Sequence, residues 1–189
     1  GMNEQACDAY RLVIDSGEGS FVELSMLNFA NLSYGLERWE DAYGGYSSLR
    51  DAAKLGNNAY LAQLGMMRSA YKGHEWDKAD ADAVLDDARS AAAERVEAEY
   101  VKAKSCLATS RRAEAMTLLE KLSKDVSGKY GAEAAYMLIM DSYDRGEFES
   151  VETKVYAFAD AGSDQTYWLA KSFIVLGDSF MERDEVEQA

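Results

Sequence analysis

Asp77, Asp80, Asp82, Asp86 and Asp87 form the densest carboxylate cluster in the chain, and oxygens in such number could hold a hard cation such as calcium. A calcium loop also needs a turn-forming Gly among its alternating ligands and a closing bidentate Glu, and neither stands at the required offset. The cluster therefore reads as acids near a helix start, where the helix dipole favours them. Asp141 and Asp144 lie one helical turn apart, but no apolar surround points to a raised pKa or to acid–base work. Residues 15–20 contain two glycines yet lack the preceding strand and the Lys of a phosphate loop, so they read as a turn between helices. The one His, His74, follows Gly73 in a predicted turn and reads as solvated, and without a second His there is no His pair for a metal. Cys7 and Cys106 fall about three repeats apart, too far for the roughly 4.4 to 6.8 Å between Cα atoms that a disulfide tolerates. Both read as free thiols packed as small apolar residues. The expectation is a protein with no catalytic, metal or cofactor-binding residues and no enzymatic activity.

The elements that must position any functional residue are helices. Of 189 residues, 48% are hydrophobic, enough for a substantial core, and Pro is absent where average usage would give about nine. The formal charge of -14 repels phosphate backbones and anionic lipid, which excludes nucleic acid as an expected partner. Residues 101–130 run against this balance, with seven Lys or Arg against three acids. That basic island could meet an acidic partner or form ordinary solvated helix surface. No stretch approaches the roughly 20 apolar residues of a membrane helix, and no signal peptide opens the chain. Residues 1–2 read as an expression scar on a fragment, which leaves the compartment undecided.

Ala6, Ala42, Ala79, Ala115, Val151 and Ala189 recur at intervals of 36, 37, 36, 36 and 38 residues. A large residue follows four on and another three further: Tyr10 and Val13, Tyr46 and Leu49, Leu119 and Leu122, Val155 and Phe158. These share one helix face; after Ala79 the followers are only Ala83 and Asp86, so that unit is the weakest. Twelve residues before each later anchor, Ala30, Met67, Ala103, Ile139 and Gly177 sit in a separate apolar helix. Two helices make each unit, and their short connections force antiparallel neighbours. The pattern predicts first helices over 20–34, 57–72, 92–108, 130–143 and 165–181. It predicts second helices over 3–15, 39–54, 76–89, 112–126 and 148–160, with a stub from 185.

A helix pair at this spacing resembles the tetratricopeptide repeat (TPR). The fourth unit carries the likeness best, from the run AEAAYML at 132–138 through Tyr143, Asp144, Arg145, Gly146, Glu147 and Phe148 to Val151. The units are longer than the family's 34 residues, and Lys54, Ala91, Ser127 and Ser163 replace the Pro that usually ends the second helix. Residues 165–173 are similar to a segment near the carboxy-terminal end of long multi-repeat bacterial proteins, many of them cell-envelope associated. The resemblance implies an all-α, right-handed α-solenoid of about 11 helices over 3–189, with first and last repeats truncated. Its units would be 3–19, 20–56, 57–91, 92–128, 129–164 and 165–189. It favours a periplasmic or envelope setting over the cytoplasm, and uncapped solenoid ends imply self-association.

In this family the first helices line a concave, ligand-binding face. The implied partner-binding residues are Asn31, Tyr34, Arg68, Tyr71, Tyr100, Lys104, Tyr136, Met140 and Tyr143. Tyr suits such a groove through its large contact area and polar tip, although Tyr34, Tyr71 and Tyr143 could equally wedge against the next helix. Leu27, Gly65, Glu97 and Val101 stand where related proteins that grip a peptide's terminal carboxylate use Lys, Arg and Asn. The expected function is a scaffold for a protein or peptide partner. The alternative is a carbohydrate-binding module of a cell-surface uptake system, with aromatic rings stacked on sugars.

Overall fold

The structure is a computed structural model that describes residues 1–17 and 21–184. Among these residues it contains ten α-helices and one 3-10 turn, with no strand. The helices are α1 (Met2–Ser16), α2 (Val22–Gly35), α3 (Trp39–Ala52), α4 (Gly56–Lys72), α5 (Ala81–Leu85) and α6 (Ala92–Ala108), followed by α7 (Arg112–Leu122), α8 (Lys129–Asp144), α9 (Phe148–Asp160) and α10 (Thr166–Glu182). The stub expected from 185, the anchor at Ala189 and part of the 15–20 turn lie outside the described residues.

Two compact units divide the chain, Gly1–Thr109 and Ser110–Ala189. In the first, each helix packs on the next, and α2, α4 and α6 also touch in sequence. In the second, α7 packs on α8, α8 on α9 and α9 on α10, with α8 also against α10. The anchors explain this order. Ala42 and Val151 are fully buried, as are Ala30 and Ile139 on the first helices that face them, and Ala103 and Ala115 are fully buried within their own units. Their small or branched side chains allow close axial approach while Leu49, Leu119 and Val155 fill the interior.

A left-handed residue recurs just after the first helices α2, α4, α6, α8 and α10: Glu37 (φ 58), His74 (φ 60), Ser110 (φ 62), Gly146 (φ 72) and Asp184 (φ 58). Around Glu37, His74 and Gly146 the chain closes a 6→1 hydrogen bond, with Arg38 N donating to Ser33 O (2.9 Å), Glu75 N to Ala70 O (2.8 Å) and Glu147 N to Ser142 O (2.9 Å). Such closures satisfy orphan carbonyls at the helix end and reverse the chain. Only Gly146 meets the left-handed conformation without a Cβ penalty.

Two elements depart from expectation, of which the smaller change is α7, predicted over 112–126 and ending at Leu122. The second helix predicted over 76–89 is instead a 3-10 turn, Trp76–Lys78, followed by the short α5. The five aspartates compete with helical backbone, and Asp80 caps α5 by accepting from Ala83 N (3.1 Å). Arg95 of α6 then clamps the far end, donating to the carbonyls of Leu85 (2.6 Å), Asp87 (2.9 Å) and Ser90 (3.3 Å). The anchor Ala79 is buried as its spacing predicts, but the register after it changes, so that Ala81 and Val84 are buried in place of the expected Ala83 and Asp86.

Candidate functional site

Asn31 on α2, Arg68 on α4 and Lys104 on α6 each stand six residues before the left-handed turn, and Tyr34 and Tyr71 stand three before it. Asn31, Tyr34, Tyr46, Leu64 and Arg68 help line a cavity of about 290 Å³. Its floor comes from the neighbouring second helix: Tyr46 of α3 passes over Gly65 of α4, where an added Cβ would lie 2.5 Å from the ring. Tyr46 Oη then donates to Asn31 Oδ1 (2.7 Å). Burial, with the Tyr34 phenol nearby adding to it, pushes the Tyr46 phenol up to about 12.

Arg68 is held bidentately by Glu97 of α6, Nε to Oε1 at 3.0 Å and Nη2 to Oε2 at 2.5 Å. That hydrogen-bonded pairing raises the guanidinium's affinity for its proton despite desolvation. Glu94, one turn earlier, accepts from Tyr60 Oη (2.5 Å) and from Ala91 N (2.9 Å). The two bonds lower its carboxyl below the usual range, the Tyr60 bond contributing most. Polar side chains on this face are thus fixed by one another.

A larger cavity of about 640 Å³ lies between the α4 turn and α6, lined by Tyr71, Lys72, His74, Trp76, Lys104, Leu107 and Ala108. The Trp76 ring is braced edge-on by Tyr71 (5.8 Å, 69°) and His74 (5.1 Å, 75°). Tyr71 contacts Tyr100 edge-on (6.0 Å) and donates from its hydroxyl to that of Tyr100 (3.3 Å), while Lys104 Nζ lies 5.8 Å from the Tyr100 ring centre.

In the second unit the predicted residues meet different neighbours. Tyr136 of α8 packs on Trp168 of α10 (5.4 Å, 34°), and Lys171 Nζ stands 4.5 Å from the Tyr136 ring, 5.3 Å from Trp168 and 5.5 Å from Tyr167. Met140 packs against the core, and Tyr143 rests edge-on against Phe148 (5.8 Å). Behind this row, buried Asp141 pairs with Arg112 and with Arg145 (3.2 Å), and Lys154 Nζ donates to Ser142 Oγ (2.6 Å) and Ser150 Oγ (2.7 Å).

Tyr34, Tyr71 and Tyr143 are half-buried, and each wedges on the aromatic residue five positions later, Trp39, Trp76 or Phe148. The structure brings Asn31, Tyr34 and Arg68 into one cavity and Tyr71 and Lys104 into another, with Tyr100 against Tyr71; Tyr136, Met140 and Tyr143 line neither. Sequence reasoning missed Tyr46, read only as a core follower of Ala42, and Trp168. Gly65, a small residue inside an otherwise bulky helix, was the available signal for a ring crossing there.

The aspartate cluster is distributed among separate partners. Asp80 caps α5, Asp82 accepts from Lys102 (2.7 Å), and Asp87 pairs with Arg89 (2.5 Å), whose hydrogen bonds hold its carboxyl at about 2. Among the described residues no group of three or more His, Cys, Asp or Glu side chains could hold a metal ion, and no helix is long and apolar enough to cross a membrane. Cys7 and Cys106 are buried and unpaired with each other. No protein-family model matches the chain, and no curated protein or solved structure matches it.

Proposed function

We propose that this chain is a TPR-like, right-handed solenoid segment acting as a non-catalytic scaffold, with a protein or peptide partner bound along its first helices. The observation that carries the reading is the recurrence of half-exposed side chains at equivalent positions of the first helices, Arg68 and Lys104 six residues before the turns of α4 and α6 and Tyr34 and Tyr71 three before those of α2 and α4, with Arg68 and Tyr71 already held by hydrogen bonds and ring contacts. Groups fixed before binding lose little entropy on binding, and Tyr and Arg supply a large share of interface energy elsewhere. Peptides selected from a random displayed library should lose binding on Tyr71→Ala and Arg68→Ala and keep it on Tyr156→Ala, which alters an exposed second-helix residue. Selected peptides indifferent to the first two changes would overturn the scaffold.

A second reading, a carbohydrate-binding module, draws on the exposed Tyr167 ring beside Trp168 in the second unit. A glycan-array signal abolished by Trp168→Ala would favour it over peptide recognition. The same scaffold offers apolar side chains for self-association, Met2 and Leu12 on α1 and Ile174 and Met181 on α10. Light scattering should show mass rising with concentration, and a constant monomer mass would count against that contact.

A further inference from the structure

We infer that the 640 Å³ cavity between the α4 turn and α6 receives an acidic segment of the partner, seating a large apolar side chain on Trp76 and meeting its flanking carboxylates with Lys72, His74 and Lys104. The inference rests on the proposed scaffold function and narrows its partner. The chain holds 34 acidic residues against 20 Lys and Arg, yet this cavity is lined by three basic side chains and no carboxylate. Its remaining walls are Tyr71, Trp76, Leu107 and Ala108, which suit an apolar side chain. The volume falls in the range of cavities that enclose a ligand, about 300 to 1,000 Å³.

The smaller cavity on the same face sharpens the assignment. There Arg68 is answered by Glu97 within the chain, so the site is electrically closed. Lys72 and His74 form no ion pair among the described residues, and an incoming carboxylate supplies what Glu97 supplies to Arg68. His74 is held at the cavity mouth by its left-handed backbone and by its edge contact with Trp76. The indole is thereby fixed as a platform before anything binds.

The test titrates the whole chain with fluorescein-labelled short peptides: one Phe flanked on both sides by Glu, the same peptide with Lys for Glu, and the same with Ser for Phe. Anisotropy reads affinity, and emission in a Trp39→Phe, Trp168→Phe background reads Trp76 alone. The Glu–Phe peptide is expected to bind and shift Trp76 emission, with the Lys and Ser versions weaker by roughly tenfold or more. Lys72→Glu with Lys104→Glu should cost the same factor while the thermal melt stays in place. Equal binding of the Lys peptide, an unaffected double variant, or no binding by any of the three overturns the inference. Binding that survives the double variant but disappears in Arg68→Glu places the peptide in the smaller cavity, ending this inference while the scaffold function stands.

Discussion

Six residues before the turn stand Arg68 on α4 and Met140 on α8; three before it stand Tyr71 and Tyr143. In the first unit these positions open onto cavities, because Arg68 is drawn to Glu97 and Tyr71 to Tyr100. In the second, Met140 joins the core, Tyr143 wedges on Phe148, and Tyr136 is covered by Trp168 and Lys171. The backbone register is shared and the contents are not. A repeat position therefore determines where a side chain emerges, while its neighbours one repeat away determine whether it is offered to a partner or consumed in packing.

The shared register is the part most costly to break. Leu49→Ala in the first unit and Leu122→Ala in the second remove buried residues from equivalent positions, seven after Ala42 and Ala115, and each should destabilise by about 2 to 5 kcal/mol. Urea unfolding that finds one of them neutral would mean the two second helices do not share a packing role. Ala115→Leu tests the same register by overpacking, with an expected cost of about 1 to 3 kcal/mol.

Gly65→Ala probes what is peculiar to the first unit. The new Cβ would meet three atoms of the Tyr46 ring at 2.5 to 2.6 Å, so the ring must leave Asn31 or α4 must shift. The expected cost is again about 1 to 3 kcal/mol, accompanied by loss of the smaller cavity. If thermal stability and the alkaline phenol titration near 12 are both unchanged, Tyr46 does not depend on this crossing.

The turns respond with opposite signs according to the residue each holds. Glu37→Gly and His74→Gly relieve a left-handed residue and should stabilise by up to about 1 kcal/mol, whereas Gly146→Ala should destabilise by about the same amount. Melting temperatures that move in one direction for all three would contradict the common turn.

How legible this was depends on the scale of the contact. Most helices with intact anchor spacing were readable to within a residue or two: 57–72 became Gly56–Lys72, 92–108 became Ala92–Ala108, and 148–160 became Phe148–Asp160, whereas 112–126 ended four residues early, at Leu122. Periodicity within a helix records its buried face directly. The 76–89 segment failed because its aspartates read as helix-start acids although Asp80 starts a new short helix, and because Arg95 on the next helix clamps its far end. The cavities failed for the same reason at greater distance. Tyr46 over Gly65 and Arg68 against Glu97 join residues 19 and 29 positions apart, and no local rule pairs them.

The smallest expected effect concerns acid, and it bears on the first unit's network of mutually fixed side chains. Glu94 and Asp87 both have carboxyls lowered in the folded chain, Glu94 mainly by the Tyr60 hydroxyl and Asp87 mainly by Arg89, which brings it from 3.8 to about 2. A depressed carboxyl contributes stability that is complete above its unfolded value and is lost as pH falls through its folded value. The window therefore opens near 4.5 for Glu94 and 3.8 for Asp87 and closes near 2 for Asp87. Both groups are only partly buried, so solvent screening keeps the contribution modest. Hydrogen exchange should show α5 and the first turn of α6 opening more as pH falls through this window. Glu94→Gln, which accepts from Tyr60 only as a neutral amide and does not titrate, should remove the share of that dependence due to Glu94 and lower protection at neutral pH by the same modest amount. An unaltered pH slope in the variant would place the acid sensitivity outside the Tyr60–Glu94 contact and leave the first unit's polar face less tightly coupled than its geometry implies.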